Sequence, residues 1–145
     1  MLRISKMTDY AILAMVELAG EGEVMSAHAI AERVGIEVPT ASKVLKLLAG
    51  HGLLDSYRGP AGGYRAKRSA AEISVADVIE AIEGPVAMTE CSDEYGHCEQ
   101  EAHCGLQGNW QRISQAVKRA VRDVSLAEMS APAHKARGPL EIRTL

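Results

Sequence analysis

Apolar residues recur along most of this chain at the helical spacing of three and four. In YAILAMVELAG they fall at positions 12, 13, 15, 16 and 18, which predicts an amphipathic helix. Thr8 and Asp9 stand ahead of it as capping residue and early acid, with Gly20 as its stop. GEGE makes the turn. Ser26 then caps AHAIAERV, a short helix with Ala27, Ile30, Ala31 and Val34 on one side and Gly35 at its end. A third helix follows in PTASKVLKLLAGHG, where Pro39 suits the first turn and Gly50 or Gly52 the end. Its buried stripe is Val44, Leu45, Leu47 and Leu48, which leaves Thr40, Ser42, Lys43 and Lys46 elsewhere on the helix.

The period then changes. LLDSYR is strand-like, GPAGG is a turn, and YRAKR returns as a second strand. Two short helices joined through a glycine, followed directly by a Gly-rich hairpin, predict a winged helix-turn-helix. Ser74 caps SVADVIEAIEG, a further helix ending at Gly84, and Pro85 breaks the pattern. Residues 85–108 show no apolar periodicity. From about Asn109 to Met129 a long amphipathic helix is expected, with Trp110, Ile113, Val117, Ala120, Val121 and Val124 as its stripe. A single long helix at the end of a small domain must bury that stripe against something, and a two-fold partner is the simple answer. The expected organisation is therefore a winged helix-turn-helix over 1–84, a cysteine-containing loop over 85–108, a dimerisation helix over 109–130 and a mobile tail over 131–145. The fold class is mainly α.

Composition agrees with that class. Aromatics are 3% of the 145 residues and Phe is absent, so the core must be built from Ala, Val, Ile, Leu and Met. No apolar run approaches the roughly 20 residues needed to cross a bilayer. The first 23 residues carry acids and no A-x-A cleavage site. A cytoplasmic location and no membrane partner are expected.

Charge changes the picture locally. The net charge is −3, which by itself argues against a nucleic-acid partner. Between Val38 and Arg68, however, Lys43, Lys46, Arg58, Arg65, Lys67 and Arg68 face the single acid Asp55. A basic face on an acidic protein is the footprint that phosphate backbones require. Pro39, Thr40, Ser42 and Lys43 lie at the end of the second helix-turn-helix helix that meets base edges, Lys46 one turn further on is suited to a phosphate, and Arg58 and Arg65 flank the wing tip. A winged helix serving protein interaction is the alternative, which the basic wing disfavours.

All three cysteines fall in one polar stretch, CSDEYGHCEQEAHC: Cys91, Cys98 and Cys104. Gaps of six and five residues are too wide for a C-x-x-C redox motif or a zinc knuckle. They suit a loop wrapped around something larger than one ion, and thiolates are soft ligands for zinc, copper and iron–sulfur clusters. Asp93, Glu94, Glu99 and Glu101 oppose thiolate formation in the empty loop, an obstacle that a bound metal centre removes. Without a ligand, a loop of this composition is expected to be disordered. Three cysteines leave a cluster one ligand short, with His97, His103, Gln107 or a more distant group to fill the place. A structural zinc and plain surface thiols are the other readings. No cysteine stands in an electropositive, helix-starting context with a base, so an enzyme is not expected.

Taken together, ISKMTDYAILAMVELA, the segment from AIAERVGIEVPTASKVLKLL through LLDSYRGPAGGYRAKR, ISVADVIEAIEG and the cysteine trio resemble the bacterial iron–sulfur regulators typified by IscR and NsrR. The resemblance covers about residues 1–130 and runs nearest to the regulators of the SUF cluster-assembly operon. It implies a dimeric winged-helix transcription regulator, expected to be a repressor that binds operator DNA and governs cluster-assembly genes. It further implies long C-terminal helices that cross in the dimer, Arg58 in a minor groove, and Cys91, Cys98 and Cys104 as ligands of a 2Fe-2S or 4Fe-4S cluster. Where the IscR type offers a histidine, this chain has Gln107. The TDY motif resembles the NsrR type instead, which makes Asp9 from the other subunit the first candidate for the fourth ligand and His103 or His97 the next. A zinc-stabilised winged-helix regulator without a sensing role is the rival function.

Overall fold

The computed structural model describes residues 3–132. Its elements run α1 (Lys6–Glu21), α2 (Ala27–Val34), α3 (Val38–Gly50), β1 (Leu54–Tyr57), β2 (Gly63–Ala66), α4 (Val75–Glu83), α5 (Gln107–Arg122) and α6 (Leu126–Ser130). The expected tail, 131–145, lies outside the described residues apart from Ala131 and Pro132.

α1 is the central element, packed on α2, α3, α4, α6 and β2. Met15, Leu18, Ile30, Val44, Leu45, Leu48, Ile73, Val78 and Leu126 are fully buried around it, a core of aliphatic side chains and methionine. Ser26 caps α2 by accepting from the Ala29 amide, and Gly35 ends it in the left-handed region at φ 75°. Ser74 and Asp77 form a reciprocal capping box on α4.

The start and stop of α1 differ from expectation. The helix begins at Lys6 with Ser5 as its cap, and Gly22, not Gly20, closes it at φ 69°. Thr8 lies inside the first turn and is wholly buried. A hydroxyl two residues before an apolar run reads as a cap, yet here tertiary contact with α4 takes it.

The hairpin forms as predicted: β1 pairs antiparallel with β2, with Leu54 opposite Ala66, Asp55 opposite Arg65, Ser56 opposite Tyr64 and Tyr57 opposite Gly63. The wing is also fixed to the helical body. Tyr64 donates to the Met25 carbonyl at 2.8 Å and accepts from the Met25 amide at 2.9 Å. A Cβ at Gly63 would stand 2.2 Å from the Met25 carbonyl oxygen, so this docking requires glycine.

The single long C-terminal helix does not form. α5 stops at Arg122, and α6 starts after a further reciprocal capping box, Ser125 with Glu128. The break is imposed by the body: the Val75 amide donates to the Val124 carbonyl and the Leu126 amide to the Ile73 carbonyl, both at 2.9 Å. Leu126 thereby enters the core beside α1, a position a straight helix would carry away from it. The line of α5 that turns inward is Trp110, Ser114, Val117 and Val121, whereas Ile113 remains 45% exposed.

Candidate nucleic-acid interface and cysteine loop

α2 and α3 form the helix-turn-helix, and the core-facing side of α3 is Ala41, Val44, Leu45 and Leu48. That burial leaves Pro39, Lys43 and Lys46 exposed on the far side, with Thr40 and Ser42 half-buried at its margins. All five residues singled out on this helix therefore belong to one outward region. Arg58 is exposed at the wing tip. Arg65 projects from β2 over Tyr57, its guanidinium 5.3 Å from the ring centroid and donating to the phenol oxygen at 2.6 Å. This is a cation–π contact that holds the charge in place without neutralising it.

The ion pairs sort the six basic residues. Lys67 meets Asp55 at 3.6 Å and Arg68 meets Asp77 at 3.9 Å. Among the described residues, no ion pair engages Lys43, Lys46, Arg58 or Arg65. The cations left uncompensated are the ones on the outward side of α3 and on the wing, which is the distribution a phosphate backbone requires.

The cysteine loop joins α4 to α5. It contains two single 3-10 turns, Glu90–Ser92 and Glu101–His103. Its first part is fastened to α5 by a residue the sequence did not single out. Ser114, 4% exposed, accepts from the Met88 amide at 3.0 Å and donates to the Ser92 hydroxyl at 2.8 Å. Ser92 in turn accepts from the Thr89 amide, and Thr89 Oγ1 stands 3.2 Å from Cys91 Sγ. A lone serine in an otherwise apolar stripe was the available signal. The loop also folds back on itself at Gly96, where a Cβ would stand 1.9 Å from the Glu90 carbonyl oxygen.

Cys91, Cys98 and Cys104 are free thiols, each half-buried. As a donor set they fit a soft-metal centre: three thiols on one loop, none consumed in a disulfide. Their placement within one chain is incomplete. Among the described residues, no three His, Cys, Asp or Glu side chains stand close enough to share a metal ion. Cys91 lines a cleft of about 330 Å³ with Ser92, Glu94, Gln111, Ser114 and Lys118. His103 is exposed beside Cys104. Asp9 lies elsewhere, in an apolar groove of about 670 Å³ formed by Ile4, Ile12, Ile79, Val121 and Met129. A second groove, about 420 Å³, adjoins it along Pro85, Met88 and Val117.

A helix-turn-helix with a basic wing and a three-thiol loop before an amphipathic helix defines a winged-helix transcription regulator. Comparison with known proteins agrees. The family model for Rrf2, described as iron-dependent transcriptional regulator, matches residues 4–132, and the chain belongs to that family. It is 34% identical over 131 residues to the HTH-type transcriptional regulator IscR of Xenorhabdus nematophila, covering 88% of this chain and 79% of that one. Among solved structures it resembles CymR, the global cysteine regulator of B. subtilis, with 28% identity, a TM-score of 0.67 and coverage of 90% and 97% of the two chains. IscR of T. potens gives 29% identity, a TM-score of 0.63 and 94% coverage of each. These relatives are regulators, not enzymes, in agreement with the reading of the thiols. Among the described residues no helix is long and apolar enough to cross a membrane.

Proposed function

We propose that this regulator is a cytoplasmic homodimer that represses transcription from operator DNA and senses an iron–sulfur cluster held by Cys91, Cys98 and Cys104, with cluster-assembly genes as its targets. The observation that carries this is the placement of the three free thiols on one loop whose first part is fastened to the helical body. On one side Glu83, the last residue of α4, is hydrogen-bonded to α1. On the other, Ser114 of α5 grips Met88 and Ser92. The family's description as iron-dependent and the relatives named IscR support the reading.

Asp9 of a second copy is the proposed fourth ligand, and His103 the alternative. Within one chain Asp9 and Cys91 line different cavities, which suits a ligand contributed across the dimer. The dimer itself is supported by the paired apolar grooves along α5 and by exposed Ile113, Leu106 and Met129. When bound, the cluster supplies iron–thiolate bonds that oxidation, nitric oxide or iron shortage removes. The chain's own part is to couple loop order to the two recognition helices. Pro39, Thr40, Ser42 and Lys43 address base edges, while Lys46, Arg58 and Arg65 hold phosphates or a minor groove. Half-sites about 34 Å apart, or a multiple of that, then require one fixed separation of the subunits.

The test is anaerobic purification with assay of iron and acid-labile sulfide, followed by operator binding before and after cluster removal. Iron and sulfide present in wild type and lost in Cys98→Ala, with a change in operator affinity, is the expected result. Colourless protein carrying zinc, or operator affinity indifferent to the cluster and to Cys98, would sink the sensing role.

A further inference from the structure

The outward side of α3 is poor in base-reading groups. Among Pro39, Thr40, Ser42, Lys43 and Lys46 only the lysines can meet a guanine edge, and there is no Arg to do so with a planar fork and no Asn or Gln to pair bidentately with adenine. The start of the helix carries something different. Val38 is 38% exposed, whereas Val44, Leu45 and Leu48 are buried and Leu47 is half-buried. Pro39, next to it, is exposed as well. The two form a small apolar edge on the first turn of α3. Cα–Cβ bonds in a helix tilt toward its N-terminus, so these side chains project past the end that enters the groove in a helix-turn-helix. Pro39 shares its side of the helix with Lys43 and Lys46, four and seven residues on, which no ion pair engages among the described residues, and the phosphate contact that Lys46 suits would hold the edge in register against the bases.

An apolar side chain in the major groove has one complementary feature to meet, the 5-methyl group of thymine. We propose that Val38, with Pro39, reads a thymine methyl in each half-site, so that part of the operator specificity is set by an apolar contact and not by hydrogen bonds. This inference rests on the DNA-binding reading above and names the base that the first turn of α3 selects.

The experiment uses the full chain, purified without oxygen, to enrich duplexes from a randomised pool. Each thymine of the enriched half-site is then replaced singly by deoxyuracil, which removes the methyl and leaves every hydrogen-bonding group. For wild type, one position should weaken binding by about threefold to fivefold, the effect of one buried methyl. For Val38→Ala or Pro39→Ala, that same replacement should change affinity by less than about twofold, a non-additivity that isolates the contact. Both side chains are exposed, so neither substitution opens the core, and retained affinity for the uracil duplex verifies folded protein. If no thymine responds, or if both variants lose as much as wild type on demethylation, the inference is overturned while DNA binding stands. If the pool yields no enriched sequence, the DNA-binding reading fails and this inference falls with it.

Discussion

Thr8 and Glu83, 75 residues apart in sequence, are joined by a hydrogen bond of 2.5 Å from the Thr8 hydroxyl to Glu83 Oε1. The same oxygen accepts from the Ser5 amide at 3.0 Å. One carboxylate at the end of α4 therefore holds the cap and first turn of α1 at the place where the cysteine loop begins. Thr8 is fully buried but Glu83 is exposed, so Thr8→Val should destabilise the domain by about 1–2 kcal/mol, the value for a hydrogen bond to a charged group reduced by solvent screening. Urea unfolding measures it. A midpoint unchanged from wild type would mean that the bond contributes nothing.

The same contact predicts a pH dependence. Hydrogen bonds from Thr8 first, then from the Ser5 backbone and side chain, hold the Glu83 carboxyl below the usual carboxylate range. The unfolded chain then binds its proton at higher pH than the folded one. Stability from this group is fully present above the unfolded value of about 4.3 and is lost as pH falls through the lowered folded value. Glu83→Gln should flatten the fall in melting temperature over that acidic window and leave its shape near neutrality unchanged. Parallel thermal melts from pH 3 to pH 7 decide the point.

Ser114 satisfies the Met88 amide from inside α5. Ser114→Ala would leave that part-buried amide without its partner and release Ser92, at a cost of about 1–3 kcal/mol locally. Hydrogen exchange at Met88 and Thr89 should accelerate, with amides in α2 and α3 unaffected. Equal protection in the two proteins would show that the loop is held by other means.

Two glycines of the loop should respond oppositely to alanine. At Gly96 a Cβ would meet the Glu90 backbone at 1.9 Å, whereas at Gly105 nothing lies within 4 Å. Gly96→Ala should displace the loop and lower iron retention after reconstitution. Gly105→Ala should retain iron at wild-type stoichiometry. The reverse order would overturn the loop path described above.

Salt dependence should separate the cations. Lys46→Ala and Arg58→Ala each remove an uncompensated charge, so the slope of log affinity against log salt should fall by roughly 0.9 per lost phosphate contact. Lys67, paired with Asp55, should change that slope less. Titrations from about 50 to 200 mM salt test the ranking, and a Lys67→Ala effect as large as that of Lys46→Ala would contradict it.

The sequence by itself determined the local grammar of the molecule. Ser26, Gly35, Ser74 and the GPAGG turn act through the backbone of their own segments, so the helix-turn-helix, the wing and the α4 boundary were readable from neighbours a few residues away. The outward placement of Lys43 and Lys46 followed from the same periodicity, because the stripe that goes inward leaves the rest outside. The confinement of the three thiols to one loop was legible too, since it is a fact of sequence position. What only the tertiary structure decided depends on groups remote in the chain. Thr8 reads as a cap until Glu83 claims it. Ser114 is a lone hydroxyl in an apolar stripe until Met88 and Ser92 meet it. The long C-terminal helix ends at Arg122 because Ile73 and Val75 bond to the backbone around Val124 and draw Leu126 into the core. Local hydrogen bonds are specified by adjacent residues; burial of a distant side chain is specified only when the chain has folded back to provide the surface that covers it.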